Sequence, residues 1–220
     1  MATTKIIPKI DAVLFDLDNT LYPASNGLLH TLDSRIITYM CEVLHITEHE
    51  ATTIRRGYLE SYGTTLRGLQ EHHDVDREHY MSYIHDIAIE SFLDSDAELE
   101  YLLRQIQAPL SIFTNSPIEH TERVLQRLGI RQLFEHIFDI RFQEFLPKPH
   151  IASYTRVLEM LRADPQHTIF VEDTLRNLVP ARELGMYTIF LSDSASEDLQ
   201  EDVDVLVPDV LAAIRHIIAR

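Results

Sequence analysis

Short apolar segments alternate with amphipathic segments through the second half of this 220-residue chain. A further apolar run, Ala12–Phe15, lies far ahead of the others, within a strand predicted at residues 11–16. Parallel strands need long crossover connections, usually helices, so this alternation favours a parallel sheet with helices on both faces. The expected fold class is therefore α/β with a doubly wound sheet. The later strands are predicted at residues 110–114, 136–140, 168–172, 187–191 and 203–207, and the last helix at 209–219.

Residues 24–107 interrupt the alternation, because they show helical periodicity and contain no convincing strand. Since this stretch follows the first predicted strand, we interpret it as an all-helical cap domain inserted into the sheet domain. The predicted division is a catalytic core of residues 1–23 and 108–220 and a cap of residues 24–107. The helices of the cap are predicted near residues 28–44, 48–61, 76–91 and 96–106.

Charge and composition narrow the choice of partners. The net charge is -16 and the pI about 5.0, so the chain offers no basic stripe for polymeric nucleic acid, although a small phosphorylated metabolite needs only local positive charge. The lone Cys41 excludes an intramolecular disulfide. No apolar stretch reaches the length of a membrane span, and the N-terminus lacks a signal-peptide core. We therefore expect a cytoplasmic protein with no membrane partner, of unknown oligomeric state.

Polar groups follow four of the predicted strands. Asp16 and Asp18 come directly after a buried strand, where a carboxylate is costly unless it is paired, hydrogen-bonded or bound to a cation. Because parallel strands end at one edge of a sheet, where open α/β folds bind ligands, groups from several strands can meet there. The later groups are Thr114 with Asn115, Lys148, and Glu172 with Asp173.

These residue types suit metal-assisted phosphoryl transfer. Asp16 and Asp173, with the backbone carbonyl of Asp18, would supply the oxygen ligands that Mg²⁺ prefers. The Asp16 carboxylate could attack phosphorus, while Asp18 could protonate the leaving oxygen and then activate water. Charge neutralisation would come from Lys148 and the metal ion. The predicted phosphate-binding residues are Thr114, Asn115 and Lys148, helped by the helix N-terminus behind the first two.

Taken singly, each of these groups has an ordinary explanation as a turn, a helix cap or a solvated side chain. Two other motifs are set aside. An EF-hand calcium loop starting at Asp16 would need glycine where Leu21 stands and glutamate where Gly27 stands. The H-x-x-E-H pattern from His45 to His49 resembles a zinc motif, but a capping box there predicts a helix start between the two histidines.

The four motifs together resemble those of the haloacid dehalogenase superfamily of phosphohydrolases. The motifs are Asp16-Leu17-Asp18-Asn19-Thr20, Thr114-Asn115, Lys148-Pro149 and Glu172-Asp173. The resemblance implies a sheet of order 5-4-1-2-3 with a helical cap inserted after the first strand. It also implies a nucleophile at Asp16, an acid/base at Asp18, phosphate contacts from Thr114 and Lys148, and Mg²⁺ bound by Asp16, Asp18 and Asp173.

Within that superfamily, segments 17–22, 62–69 and 173–178 are similar to the pyrimidine 5′-nucleotidase group. This similarity implies a pyrimidine nucleoside 5′-monophosphate as substrate. That group often has aspartate where this chain has Glu172, which we assign to orienting Lys148 or a metal-bound water. We expect Asn177 to orient Asp173 or a metal-bound water.

The cap contributes three candidate substrate contacts, Tyr62, Thr65 and Arg67, although packing between helices is the simpler explanation of the tyrosine and leucine spacing there. The twelve histidines are expected mostly at the surface. Alternative functions are a phosphoglycolate or sugar-phosphate phosphatase, a phosphomutase, or a non-catalytic binding protein on the same scaffold. Dehalogenation also uses an aspartate nucleophile, but it needs no second carboxylate, so Asp18 favours phosphate chemistry.

Overall fold

The computed structural model describes residues 9–192 and 203–220. The chain forms two compact units, which we call the core unit (Met1–Pro23 with Leu93–Arg220) and the helical unit (Ala24–Phe92). The prediction that the N-terminus lacks a signal-peptide core concerns a segment that includes residues 1–8. These eight residues lie outside the described part of the chain. Among the described residues, no helix combines the length and the apolar character that a membrane crossing requires.

The core unit contains a six-stranded sheet in which every neighbouring pair is parallel. The predicted doubly wound α/β class is confirmed. The strand order is β3-β2-β1-β4-β5-β6, so the expected order of five strands is present and β6 extends the sheet beyond β5. The strands are β1 (Ala12–Phe15), β2 (Leu110–Phe113), β3 (His136–Phe138), β4 (Thr168–Glu172), β5 (Tyr187–Leu191) and β6 (Val205–Val207).

The helices of both units lie close to most of the predicted segments. In the helical unit they are α1 (Leu28–Leu44), α2 (Glu48–Tyr62), α3 (Thr65–His72) and α4 (Arg77–Ile84). In the core unit they are α5 (Ala97–Leu103), α6 (Ile118–Leu128), α7 (Ile151–Leu161), α8 (Leu175–Glu183) and α9 (Val210–Ile218).

The central strands are buried on both faces, as in other parallel sheets. On one face, Leu14, Phe113 and Phe170 form a cluster with Tyr154 of α7 and Leu178 of α8. Each such side chain contributes about 1.5–3 kcal/mol when fully buried. The described strands carry charged side chains only at or beyond their ends, and this places the charged functional residues at one edge of the sheet.

The capping box predicted between the two histidines of the H-x-x-E-H pattern is present. Thr47 Oγ1 accepts a hydrogen bond from Glu50 N (3.3 Å), and Thr47 N donates to Glu50 Oε2 (2.8 Å). His45 terminates α1 in the left-handed conformation (φ 56°), whereas His49 belongs to α2. The two histidines therefore do not share a helix face, in agreement with the rejection of a zinc motif.

Helices α2 and α3 pack closely at Gly68. A Cβ atom built on Gly68 would overlap Cγ of Tyr58, so the tyrosine ring would have to move. By contrast, a Cβ atom on Gly57 would meet nothing within 4 Å. Gly68 is therefore required by packing, whereas Gly57 is not.

Two predictions about the helices of the inserted stretch are wrong. The prediction contains no helix at Thr65–His72, where α3 lies. The single helix predicted at 76–91 is instead α4, followed by a separate 3₁₀ turn at Ile89–Ser91. The apolar spacing of Ile84, Ile87 and Ile89 imitates helical periodicity, because all three are buried although the chain turns between them.

The second boundary between the units lies at Phe92/Leu93, earlier than the predicted 107/108. Helix α5 belongs to the core unit, where it packs against α9. Its buried face consists of Leu99, Leu102 and Leu103. The periodicity of the sequence predicts α5 as a helix but does not show which unit it belongs to. The unit depends on which neighbouring helix covers the leucines of α5.

Candidate active site

Three carboxylates lie together at the carboxyl ends of β1 and β4. Asp16 follows β1 directly, and its N–H donates to the carbonyl of Val171 in the adjacent β4 (2.9 Å). Glu172 is the last residue of β4 and Asp173 the next. Asp16, Glu172 and Asp173 each offer a carboxylate oxygen, and these oxygens lie within 4.8 Å of one another. We call these three residues the acidic cluster.

Lys148 enters the acidic cluster from the loop after β3. Its Nζ donates to Asp16 Oδ1 (2.7 Å) and to Glu172 Oε2 (2.6 Å). The same ammonium lies 5.2 Å from the ring centroids of both Phe113 and Phe170. The Lys148 side chain is only 1% exposed, so the ion pairs form in the protein interior.

Asn115 holds the backbone of Lys148. Lys148 N donates to Asn115 Oδ1 (2.8 Å), and Asn115 Nδ2 donates to the Lys148 carbonyl (3.1 Å). Its neighbour Thr114 is 1% exposed, and Thr114 Oγ1 accepts a hydrogen bond from Ser116 N (3.1 Å). Asn115 therefore supports Lys148, and the phosphate contacts of Thr114 and Asn115 stay predictions.

The acidic cluster carries more negative charge than Lys148 can balance. Burial, and then repulsion by Glu172, raises the pKa of Asp16 to about 7 even though Lys148 opposes the change. Burial likewise raises the pKa of Glu172 to about 7 and, together with repulsion by Asp16, that of Asp173 to about 6. Although burial acts to lower the pKa of Lys148, its two acidic partners raise it. Three carboxylates thus face one ammonium.

The donors around the acidic cluster fit Mg²⁺. A hard divalent cation prefers carboxylate and water oxygens, and it would neutralise the excess charge of the cluster. Asn177 Oδ1 is buried and accepts no hydrogen bond from the described residues, so it is a suitable acceptor for a metal-bound water. Asn177 is not hydrogen-bonded to Asp173 within the described chain, and its orienting role stays a prediction.

The carboxylate of Asp18 is held apart from the acidic cluster by three donors. Ser116 Oγ donates to Asp18 Oδ2 (2.6 Å), while His120 Nε2 lies 3.1 Å from Oδ1, which also accepts a hydrogen bond from the Tyr22 hydroxyl. Burial acts to raise the pKa of Asp18, but these partners together hold it well below its usual range. Two carboxylates only two residues apart therefore have opposite electrostatic environments.

Sequence reasoning missed Ser116 and His120 as site residues. Ser116 precedes α6 but does not cap it, because the N-cap is Pro117 and Ile118 N donates to Asp139 Oδ2 (3.1 Å). All twelve histidines lie in the described ranges, and only His120 is buried. The sequence did contain one indication of their role. Ser116 and His120 are four residues apart and follow a predicted strand end, and residues with this spacing at the start of a helix point to the same side of it.

The three cap candidates lie in the helical unit in different environments. Tyr62 shares a hydrogen bond with His72 Nε2 (2.7 Å) in an open groove. Thr65 is 3% exposed and lies beside the buried Tyr80, which favours a packing role. Arg67 is half-buried, and within the described residues its guanidinium has no ion pair. The groove is lined by Ile54, Gly57, Tyr58, Ser61, Tyr62, His72 and His73.

A lysine-bound aspartate beside two further carboxylates, at the carboxyl edge of a doubly wound sheet, is an arrangement suited to metal-assisted hydrolysis. Comparison with known families agrees with this class. Residues 10–185 match the haloacid dehalogenase-like hydrolases, and the chain belongs to that family.

Individual relatives include proteins named for phosphate chemistry. Phosphate metabolism protein 8 of Saccharomyces cerevisiae is 26% identical over 194 residues, which cover 81% of this chain and 60% of the yeast protein. The chain thus spans less than two thirds of that relative. Glyceraldehyde 3-phosphate phosphatase of Methanocaldococcus jannaschii is 24% identical over 217 residues, which cover 88% of this chain and 90% of the archaeal protein.

The fold also matches solved structures. The HAD-hydrolase YfnB of Bacillus subtilis, whose crystal structure contains magnesium, aligns with a TM-score of 0.64 at 16% identity. The alignment covers 96% of this chain and 100% of YfnB. At this identity the match shows that the two proteins share a fold.

Proposed function

We propose that this chain is a Mg²⁺-dependent phosphomonoesterase that transfers the phosphoryl group of its substrate first to Asp16 and then to water. The observation that carries the proposal is the contrast between two neighbouring carboxylates. Asp16 is fixed by Lys148 inside the acidic cluster, whereas Asp18 is held by a separate set of hydrogen-bond donors. One strand end therefore supplies both a nucleophile and a group that can exchange protons.

In the first step, an oxygen of Asp16 attacks phosphorus, the bond from phosphorus to the ester oxygen breaks, and Asp18 gives its proton to the leaving oxygen. Asp18 is ionised in the structure, since its pKa is held below its usual range. The negative charge of an incoming phosphate raises the pKa of a neighbouring carboxyl, which favours protonation of Asp18 once substrate is bound.

In the second step, Asp18 takes a proton from a water molecule as that water attacks the phosphorus of the aspartyl-phosphate. The bond between phosphorus and Asp16 breaks, which releases inorganic phosphate and restores the free carboxylate. Throughout both steps Lys148 keeps its contact with Asp16 and offsets the charge of the phosphoryl oxygens.

Asp16 and Asp173 would hold Mg²⁺ with the backbone carbonyl of Asp18, while Glu172 keeps Lys148 in place. The bound ion would supply charge neutralisation for the attack of a carboxylate on a phosphate. Thr114 and Lys148 would contact phosphate oxygens. The three raised carboxyl pKa values support this assignment, because they show how poorly the acidic cluster tolerates its own charge.

The substrate class we propose is a small phosphorylated metabolite, with a pyrimidine nucleoside 5′-monophosphate favoured. The proposal of this substrate follows from the resemblance of segments 17–22, 62–69 and 173–178 to the pyrimidine 5′-nucleotidase group. Of the three cap candidates, Arg67 is the best supported, because a half-buried guanidinium without an acidic partner in the described chain can bind a phosphate or a base carbonyl.

A sugar-phosphate phosphatase is the second candidate. It is favoured by the relationship to the archaeal glyceraldehyde 3-phosphate phosphatase, which extends over most of both chains. The proposed core site does not distinguish the two substrates, since its residues would contact only the phosphate and the leaving oxygen, which both substrates have.

A phosphatase panel of UMP, CMP, AMP, phosphoglycolate and hexose phosphates, with Mg²⁺ or with chelator, tests the proposal. We expect turnover with Mg²⁺, highest with UMP or CMP, and none with chelator. Asp16→Asn should abolish turnover. The control is Asp209→Asn, which retains the N-cap of α9 and should keep full activity. Turnover that survives Asp16→Asn would refute the mechanism, and a wild-type protein inert on the whole panel would favour a binding role.

A further inference from the structure

We propose that Tyr22, Ser116 and His120 position the carboxylate of Asp18 for proton transfer at the ester oxygen of the substrate. This inference rests on the proposed phosphatase function and adds three positioning residues to it. The three donors come from three parts of the core unit: the loop after β1, the loop after β2, and helix α6.

The arrangement fixes both oxygens of Asp18. Oδ1 is shared by the Tyr22 hydroxyl and by His120 Nε2 at 3.1 Å, and Oδ2 is bound by Ser116 Oγ at 2.6 Å. A carboxylate held at both oxygens from two sides cannot rotate about its χ angles without breaking at least one bond. The direction in which Asp18 presents its oxygens is therefore set by these neighbours.

The donors are themselves firmly held. Tyr22 is 2% and His120 1% exposed, so neither has room to swing into solvent. The backbone of Ser116 is bound on both sides, since its N–H donates to Thr114 Oγ1 (3.1 Å) and its carbonyl accepts from Ile140 N (3.3 Å). Rigid support is what a proton-transferring group needs, because a displacement of about 1 Å at a reacting group can cost on the order of a hundredfold in rate.

Hydrogen bonds to Asp18 that only stabilise the fold would have the same geometry as hydrogen bonds that position it for catalysis. The test must therefore separate an effect on proton transfer from an effect on stability. The useful contrast is the leaving group. An alkyl oxygen needs a proton as it leaves, whereas p-nitrophenolate leaves without one. The ratio kcat/KM reports the steps up to formation of the aspartyl-phosphate, so it isolates the acid role of Asp18.

The experiment compares kcat/KM for p-nitrophenyl phosphate and for the best alkyl phosphate of the panel in the wild type, His120→Phe, His120→Gln and Tyr22→Phe. We expect His120→Phe and Tyr22→Phe to lose about tenfold more on the alkyl phosphate than on the aryl phosphate, since general acid–base catalysis contributes about 10²–10⁴-fold. His120→Gln should recover much of this loss, because its amide nitrogen reaches the position of Nε2.

The matched control is Tyr187→Phe. Tyr187 is another buried tyrosine, and its hydroxyl shares a hydrogen bond with His216 Nε2 (3.1 Å). Tyr187 begins β5, so it lies at the opposite edge of the sheet, and its loss should leave the aryl-to-alkyl ratio unchanged. If a histidine variant does not fold, Tyr22→Phe, which deletes a single oxygen, decides the question.

Equal loss on both esters, or no loss on either, would overturn the positioning role while leaving the phosphatase proposal intact. A wild-type protein that hydrolyses neither ester would overturn the phosphatase proposal and this inference with it. The two failures are therefore distinguishable in one set of measurements.

Discussion

Replacing Lys148 by methionine should destabilise the core unit strongly and in a pH-dependent way. Methionine keeps an unbranched apolar side chain between Phe113 and Phe170, so the main change is loss of the ammonium. Asp16 and Glu172 then lose their cation at 2.7 and 2.6 Å. Removing one partner of a buried ion pair costs about 3–5 kcal/mol. For a protein of this size, that corresponds to a fall in Tm on the order of 10 °C.

The pH dependence follows from the direction of the carboxyl pKa values. Asp16 and Glu172 have folded-state pKa values near 7, raised above their ordinary values near 4, and loss of Lys148 raises them further. A group whose folded pKa is raised in this way lowers stability as pH increases from the unfolded pKa through the folded pKa. The cost of Lys148→Met should therefore be small at pH 5 and much larger at pH 8.

Urea unfolding followed by circular dichroism, at pH 5 and pH 8 in the presence of chelator, measures this difference. Lys9→Met is the matched control, because Lys9 also pairs with an aspartate near β1, Asp11, at 2.8 Å, but at the surface. Its loss should change stability little at either pH, since exposed ion pairs are screened by solvent. A Lys148→Met variant as stable as Lys9→Met at pH 8, or one equally destabilised at both pH values, would refute the reasoning.

Three further predictions concern the helical unit and the metal. Gly68→Ala should destabilise the protein by about 1–3 kcal/mol, because the added Cβ overlaps the ring of Tyr58. Gly57→Ala should instead stabilise it by up to about 1 kcal/mol, because the added Cβ meets no neighbour and alanine favours a helix. The Tm values of the two variants test this contrast. Mg²⁺ should raise Tm more at pH 8 than at pH 5, because protons compete with the ion for carboxylates whose pKa values are near 6 and 7. An equal rise in Tm at both pH values would contradict binding at the acidic cluster. Arg67→Met should raise KM for the best substrate about tenfold or more with little change in kcat, and steady-state kinetics that show an unchanged KM would remove Arg67 from substrate binding.

Most of the fold could be predicted from the sequence because the sheet leaves a strong local signal. Buried parallel strands are continuous apolar runs, and the observed bounds of β4 and β5 are those predicted. The errors concern features that depend on distant contacts. Helix α3 is only eight residues long, and the placement of α5 depends on its packing against α9.

The candidate site shows the same limit. Acidic and basic residues after strands could be found by their position, and the structure brings Asp16, Lys148 and Glu172 into contact. The partners of Asp18 could not be found in this way. A serine before a helix and a histidine within it have common local roles, and only the folded chain reveals that Ser116 and His120 point at the same carboxylate.

The burial of Lys148 also gives this protein an internal reporter of unfolding. The chain contains only three lysines, Lys5, Lys9 and Lys148. Because Lys148 is enclosed and bonded to two acids, an amine-acylating reagent should leave it unmodified in the native protein while labelling Lys9, which is largely exposed. Acylation at Lys148 therefore marks molecules whose core has opened, and its rate reports how often the acidic cluster loses its cation.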